Sequence, residues 1–221
     1  MKINTYSSPV PHIIVDDALT TEVTMSCFEE ILALKYLFFP GRVSGAQGQM
    51  RRIDHEIQKQ DSCFLDDIFI GHRERSRILT AIHSVLFSEK LMSAMEQLGS
   101  PLLNQIRTTN FDQTIIGKYG NGDFYKWHRD NDAHDYSRIS SAILYLGNKK
   151  RKFKGGLLEI NNENEIKEIE PDRNRLVIFG ADVLHQVSRV RMPRNSLWKD
   201  ARFGVVNVAG KLSQTEKANF T

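Results

Sequence analysis

His128 and Asp130 stand two places apart, a second imidazole follows at His185, and Arg202 heads the apolar run Arg202-Phe203-Gly204-Val205-Val206-Asn207-Val208. Residues two apart on a β-strand project from one face, so the first pair aims an imidazole and a carboxylate at one point. His185 then completes a set of two histidines and one carboxylate. Such a set takes three adjacent corners of an octahedron and leaves the others open, which suits non-haem Fe(II) oxygen chemistry. An open iron needs a co-substrate. An H-x-D pair is a weak signal by itself, arising by chance on the order of once in every few chains of this length, so the flanking elements must carry the reading.

Those elements change texture along the chain. From about residue 104 onward, short runs of strand character at 114–119, 124–130, 139–146, 157–160, 175–179, 185–190 and 202–208 are separated by turn signals, Gly120-Asn121-Gly122, Gly155-Gly156, Asn161-Asn162 and Gly180-Ala181-Asp182 among them. Seven or eight short strands predict a sandwich or jelly roll. The first half reads as helical support. After a short strand at 12–15, Thr20 and Thr21 can cap a helix with Phe28, Ile31 and Leu32 at helical spacing, ending before Pro40-Gly41. Ile78, Leu79, Ile82, Val85 and Leu86 predict a second helix; Ser88-Glu89 opens a third, with Met92 and Met95 as packing and Gly99-Ser100-Pro101 as its stop. The polar stretch 41–60 reads as a loop able to act as a lid.

Composition bounds the rest. With 221 residues and 40% hydrophobic content, the chain can bury one sizeable core and is expected to form one domain. A net charge of +3 is too small to demand a polyanionic partner. Cys27 and Cys63 form no CxxC pair or disulfide framework, which argues against a zinc knuckle or a stapled secreted fold and fits a reducing cytoplasm. The N-terminus lacks an apolar signal core, and the run around Ile31 to Phe39 is broken by Lys35, far short of a membrane span. A soluble, cytoplasmic protein with no membrane partner is the expectation.

The ordered series Tyr119-Gly120-Asn121-Gly122, His128…Asp130, Ser141-Ala142-Ile143-Leu144-Tyr145-Leu146, Gly155-Gly156-Leu157-Leu158 and Arg175-Leu176-Val177-Ile178-Phe179…His185 resembles the 2-oxoglutarate- and Fe(II)-dependent dioxygenases, in their prolyl-4-hydroxylase-like branch. The likeness spans about residues 108–209. It implies a mainly β fold with flanking helices: a double-stranded β-helix (jelly roll, cupin-like) core over 104–210, a mostly helical support region over 1–103 and a C-terminal tail over 211–221. It implies His128, Asp130 and His185 as iron ligands, with Fe(II), 2-oxoglutarate and O2 as cofactors and co-substrates and ascorbate as a candidate reductant. His12, His55, His72 and His83 read as ordinary surface or core histidines, and His134, with Asp132 and Asp135, as part of a solvated loop near the entrance.

2-Oxoglutarate chelating iron would leave its distal carboxylate to be held by a cation and hydroxyl donors deep in the barrel. Alternation along 202–208 puts Arg202, Gly204, Val206 and Val208 on one face, so Arg202 can point inward. Arg194 is the rival: it stands nine places after His185, against seventeen for Arg202, but lies in a turn-like Pro193-Arg194-Asn195-Ser196. Tyr119 and Tyr145 match family tyrosines that bond the same carboxylate, or are core aromatics with satisfied hydroxyls. The resemblance favours hydroxylation of a peptidyl, prolyl or amino-acid-like C–H bond, and so a peptide, protein or small-molecule substrate, with loops 131–137 and 41–60 as contacts. The basic turn 148–154 reads as a solvated hairpin tip more than as an anion contact. An AlkB-like nucleic-acid or nucleobase demethylase would need a second arginine where Val208 stands. A non-catalytic cupin-like metal-binding module, or a zinc hydrolase on the same ligands, would have no use for an inward Arg202.

Overall fold

The protein is described by a computed structural model over residues 1–43, 52–131 and 137–212. Strands and helices follow in the order β1 (Lys2–Tyr6), β2 (His12–Asp16), α1 (Thr21–Ala33), β3 (Phe39–Pro40), β4 (Gln58–Lys59), β5 (Asp61–Phe64), α2 (Leu65–Ile68), α3 (Arg77–Leu86), α4 (Glu89–Glu96), β6 (Phe111–Tyr119), β7 (Phe124–His128), β8 (Arg138–Leu146), β9 (Leu158–Asn161), β10 (Ile166–Ile169), β11 (Leu176–Gly180), β12 (Leu184–Val187) and β13 (Arg202–Gly210).

They build two sheets. The larger runs β1-β2-β11-β8-β13-β6-β5-β3 and the smaller β10-β9-β12-β7-β4. The central strands of the larger sheet are buried on both faces, which is why they read as nearly unbroken apolar runs. On β8, Ala142, Leu144 and Leu146 join a core shared with the helices, whereas Ile143 and Tyr145 face the barrel interior. β11 divides likewise, Leu176 and Ile178 outward to the helices and Val177 and Phe179 inward. Each fully buried side chain of this size contributes about 1.5–3 kcal/mol. The sheet is therefore fixed from both sides, and the smaller sheet closes over its inner face to form the jelly roll.

The three expected helices form as α1, α3 and α4, although α1 stops at Ala33, short of Pro40, and the short α2 was not expected. Thr20 accepts from Val23 N at 3.3 Å ahead of α1, and Ser76 Oγ accepts from Leu79 N at 3.1 Å ahead of α3. Ser88 precedes α4 without such a bond, its hydroxyl donating back to Val85 O instead. Glu30 of α1 reaches across to α3, where its carboxylate accepts from Ser76 Oγ and from the backbone of Arg77 and Ile78.

The expectation of mostly helical support over 1–103 is incomplete, because β1 to β5 all lie in that stretch. β2 pairs directly with β11 in the larger sheet, and β5 with β6. Edge pieces such as Lys2–Tyr6 carry few apolar residues and Gln58–Lys59 has only two residues, so neither shows a strand pattern in sequence. β10 was likewise missed, because it has four residues of which Ile166 and Glu168 are exposed and Ile169 alone is buried. Of the expected tail, 213–221 lie outside the described residues, as do 44–51 and 132–136.

Candidate active site

β7 and β12 pair antiparallel with His128 directly opposite His185, so one imidazole from each strand meets at the open end of the barrel. Each ring is oriented the same way: His128 Nδ1 lies 2.8 Å from Lys126 O and His185 Nδ1 lies 2.9 Å from Val183 O. A proton on each Nδ1 donates to that carbonyl, which leaves both Nε2 lone pairs facing inward. Asp130 stands between them, Oδ1 3.7 Å from His128 Nε2 and Oδ2 3.7 Å from His185 Nε2. The potential ligand atoms of the three side chains all lie within 4.8 Å of one another, and this is the cluster of metal-ligating type among the described residues.

Asp130 does not share a strand with His128. β7 stops at His128, so Asp130 is beyond the strand rather than two places along it. Its position is set instead by its backbone N, which donates to Ala181 O at 3.0 Å, and by Arg138, which donates to its carbonyl at 2.9 Å. Ser141 Oγ donates to Oδ2 at 2.5 Å and fixes the carboxylate plane. Burial by itself would raise the Asp130 carboxyl, but the two imidazoles, the Ser141 hydroxyl and Arg138 outweigh it and hold it below the usual carboxylate range. Burial, with the facing His185, presses His128 down to about 4. The triad at neutral pH is one anion and at least one neutral imidazole, the protonation that a divalent cation requires of these groups.

Behind the triad is a second polar cluster. Arg202 is 2% exposed, and its guanidinium carbon lies 4.8 Å from the Tyr119 ring centroid and 5.0 Å from that of Tyr145. These contacts follow from register: Arg202 is opposite Tyr119 on β6, and Gly204 is opposite Tyr145 on β8. Arg202 Nε donates to Gly156 O at 2.7 Å. Gly155 and Gly156 both take positive φ, and a Cβ on Gly156 would sit 2.7 Å from Arg202 Cδ, so the turn must be glycine for the guanidinium to fit. Arg202 Nη2 and Tyr145 Oη are buried without a partner. A buried guanidinium N–H beside a buried phenol O–H, each able to donate, fits a buried carboxylate.

Tyr119 links the two clusters. It lines the cleft that holds His128, Asp130 and His185, whereas Arg202 and Tyr145 lie one layer beneath. Arg194 is elsewhere: it is exposed in the turn closed by Ser196 N to Pro193 O and lines a different surface cleft. The basic turn also stays apart, with Arg151 paired to Glu170 and Lys150 and Arg151 lining a separate small cleft. Of the proposed substrate loops, Arg42, Gln58 and Gln60 line the main cleft; the stretch containing Asp132, His134 and Asp135 lies outside the described residues.

Sequence reasoning missed Ser141, Tyr125, Arg138 and the glutamines of the cleft wall. Tyr125 pairs with Gln58 across β7 and β4 and stacks on His128 with ring centroids 3.6 Å apart. A signal for Ser141 was present in the alternation Ser141, Ile143, Tyr145 along β8; Gln58 and Gln60 carried none, because β4 has only two residues and Gln60 lies between β4 and β5.

Residues 115–199 match the family model described as the 2OG-Fe(II) oxygenase superfamily. The matched stretch holds His128, Asp130 and His185. The chain is a 2-oxoglutarate-dependent dioxygenase, whose cofactor is Fe(II) and whose co-substrates are 2-oxoglutarate and O2. No curated protein gives a match. Among solved structures, the chain is similar to a prolyl hydroxylase in complex with a hypoxia inducible factor oxygen degradation domain peptide fragment from Trichoplax adhaerens, at 19% identity and TM-score 0.68, covering 95% of this chain and 87% of that one. A Pseudomonas putida prolyl-4-hydroxylase gives 17% identity and TM-score 0.59 over 91% of this chain and 93% of its own. A viral collagen prolyl hydroxylase from Paramecium Bursaria Chlorella virus-1 gives 15% and 0.56 over 91% and 96%. The dioxygenase therefore has the fold of the prolyl-4-hydroxylase-like branch. No helix among its described residues is long and apolar enough to cross a membrane.

Proposed function

We propose that the enzyme hydroxylates a C–H bond of a peptidyl or amino-acid-like substrate, prolyl among the candidates, with His128, Asp130 and His185 holding Fe(II) and Arg202, Tyr119 and Tyr145 holding the distal carboxylate of 2-oxoglutarate. The observation that carries this reading is the stacking of two incomplete sites: a converged Nε2, carboxylate and Nε2, and beneath it an unpartnered Arg202 Nη2 beside an unpartnered Tyr145 Oη. One site presents three ligand atoms suited to a cation and the other two polar groups suited to a carboxylate, and 2-oxoglutarate on iron would satisfy both. The peptide in the Trichoplax complex supports a peptidyl substrate.

Iron held by His128, Asp130 and His185 would supply the oxidation, dividing O2 between succinate, formed with CO2 from 2-oxoglutarate, and the hydroxyl of the product. The chain's own residues do the rest. Val183 and Lys126 carbonyls keep the Nδ1 protons of the two histidines and so direct Nε2 inward. Ser141 holds Asp130 against rotation. Arg202 orients the co-substrate by a charge-assisted contact in a dry pocket, its stem packed on Gly156. Val208, at the place where a nucleobase demethylase would carry a second arginine, lines the cleft as an apolar wall.

Addition of Fe(II) and 2-oxoglutarate without oxygen tests the reading. A weak visible metal-to-ligand band is expected, followed by succinate on admission of O2 and a gain of one oxygen in a peptide or metabolite from a panel. Absence of both the band and succinate overturns the site assignment.

A further inference from the structure

The chain switches from the smaller sheet to the larger one at a single residue. β4 pairs with β7, β5 pairs with β6, and Gln60 lies between them at the side of the cleft. Gln58 is 5% exposed, Gln60 is half-buried, and the Oε1 atoms of both are buried without a hydrogen-bond partner. Both residues line the cleft beside the triad, and Gln113 of β6 adds a third side-chain amide to its wall. Gly117 makes room for this arrangement, since a Cβ there would stand 3.0 Å from Gln60 Oε1.

A buried acceptor left unpaired costs about 1–3 kcal/mol, far more than the same group left in water. Two such acceptors in one wall point to a ligand that brings donors. Each Oε1 needs a donor, and the Nε2 of the same amide offers one in return. The charge around the cleft narrows the choice. Arg42 also lines it, which disfavours an ammonium or guanidinium; a carboxylate has no donor for the Oε1 atoms of Gln58 and Gln60; a prolyl ring or an alkyl chain leaves both unpaired. A neutral group with donor and acceptor together remains, and a primary carboxamide pairs with a glutamine amide through two parallel bonds.

Resting on the hydroxylase reading above, we propose that Gln58 and Gln60 are specificity-determining residues that select a substrate side chain ending in a primary carboxamide, an asparaginyl or glutaminyl residue rather than a prolyl one. The oxidised bond is then an aliphatic C–H of that side chain, with O2 and 2-oxoglutarate balancing the step as in the parent reaction.

The test uses the Fe(II)-loaded enzyme with 2-oxoglutarate, O2 and heptapeptide libraries of degenerate flanks whose central residue is fixed as Asn, Gln, Asp, Leu or Pro. Succinate formed without peptide reports the oxygenase reading separately. The expected result is addition of one oxygen to the central Asn or Gln at a rate at least about tenfold above Asp, Leu and Pro, the discrimination that one or two such hydrogen bonds give. Gln58→Met and Gln60→Met keep side-chain length and remove the amide, and each should shrink that ratio at least about threefold. Because a ratio is read, partial loss of folded protein does not mimic the effect. Preference for Pro, Leu or Asp, equal rates for all libraries, no oxidation in any of them, or an unchanged ratio in both variants overturns the proposal, even where succinate formation upholds the oxygenase reading.

Discussion

The guanidinium of Arg202 lies 5.0 Å from the ring of Tyr145, and Nη2 of the one and Oη of the other are both buried without a well-formed hydrogen bond. Two polar groups brought this close and left unsatisfied are costly in a protein without its ligand, and they become an anchor once a carboxylate arrives.

Arg202→Ala should therefore raise the 2-oxoglutarate requirement by roughly tenfold to a hundredfold, the range of a charge-assisted contact in a partly dry site. Arg194→Ala, in its exposed turn, should change it little. Gly156→Ala should weaken the same constant, because its methyl would displace the Arg202 stem at a backbone φ of 66°. Titration of 2-oxoglutarate against succinate formation measures all three. A crippled Arg194→Ala beside a normal Arg202→Ala would sink the anchor.

His128→Ala, Asp130→Ala and His185→Ala should each abolish Fe(II)-dependent turnover while circular dichroism stays native, since the core is built by other residues. Asp130→Glu should also be poor, its oxygen displaced by one methylene. Ser141→Ala should keep the triad yet lower Fe(II) affinity by roughly tenfold to a hundredfold through a freer Asp130, and calorimetric metal titration would reveal it. Full activity in any of the three triad variants contradicts the ligand assignment.

The metal-free protein should lose stability as pH falls from about 6.5 toward 4. His128 is held to about 4 by burial and the facing His185, and burial lowers His12 as well. The unfolded chain binds protons at 6.5 while the folded one does not, so stability rises with pH across this window and is fully present above it. For His128 the loss approaches about 3 kcal/mol at its lower end. The depressed Asp130 carboxyl titrates below this range. Denaturant unfolding at a series of pH values should show the slope, and His128→Gln should flatten it.

Glu30→Ala should destabilise the fold by about 2–4 kcal/mol without touching the cleft, because one carboxylate accepts from Ser76 Oγ, Arg77 N and Ile78 N at the start of α3. Thermal unfolding of the metal-free protein measures it. An unchanged midpoint would mean that water replaces the carboxylate at the helix terminus.

Strand character after residue 104 was legible because the central strands are long and apolar, and their register follows from alternation. The face shared by Arg202, Gly204, Val206 and Val208 follows from that alternation alone, with Gly204 meeting Ile143, Arg202 and Tyr145 inside the barrel. His128, Asp130 and His185 were legible as a set of ligand types at suggestive spacing. The helix start at Thr20 obeys local capping chemistry, which needs no distant partner, whereas the start of α3 at Ser76 is also held by Glu30 from α1.

What the sequence determined, then, was the residue types, the parity of each long strand and the local caps, all of which depend on neighbours a few positions away. Tertiary structure alone decided that His128 faces His185, that Asp130 is held by Ala181 and Ser141 beyond the end of its strand, and that Arg202 rests on Gly156. It also carried Gln58 and Gln60 from a polar loop to the wall of the cleft. These are contacts between segments far apart in the chain, set by sheet register and by the packing of two sheets face to face. Periodicity within one segment carries no information about them.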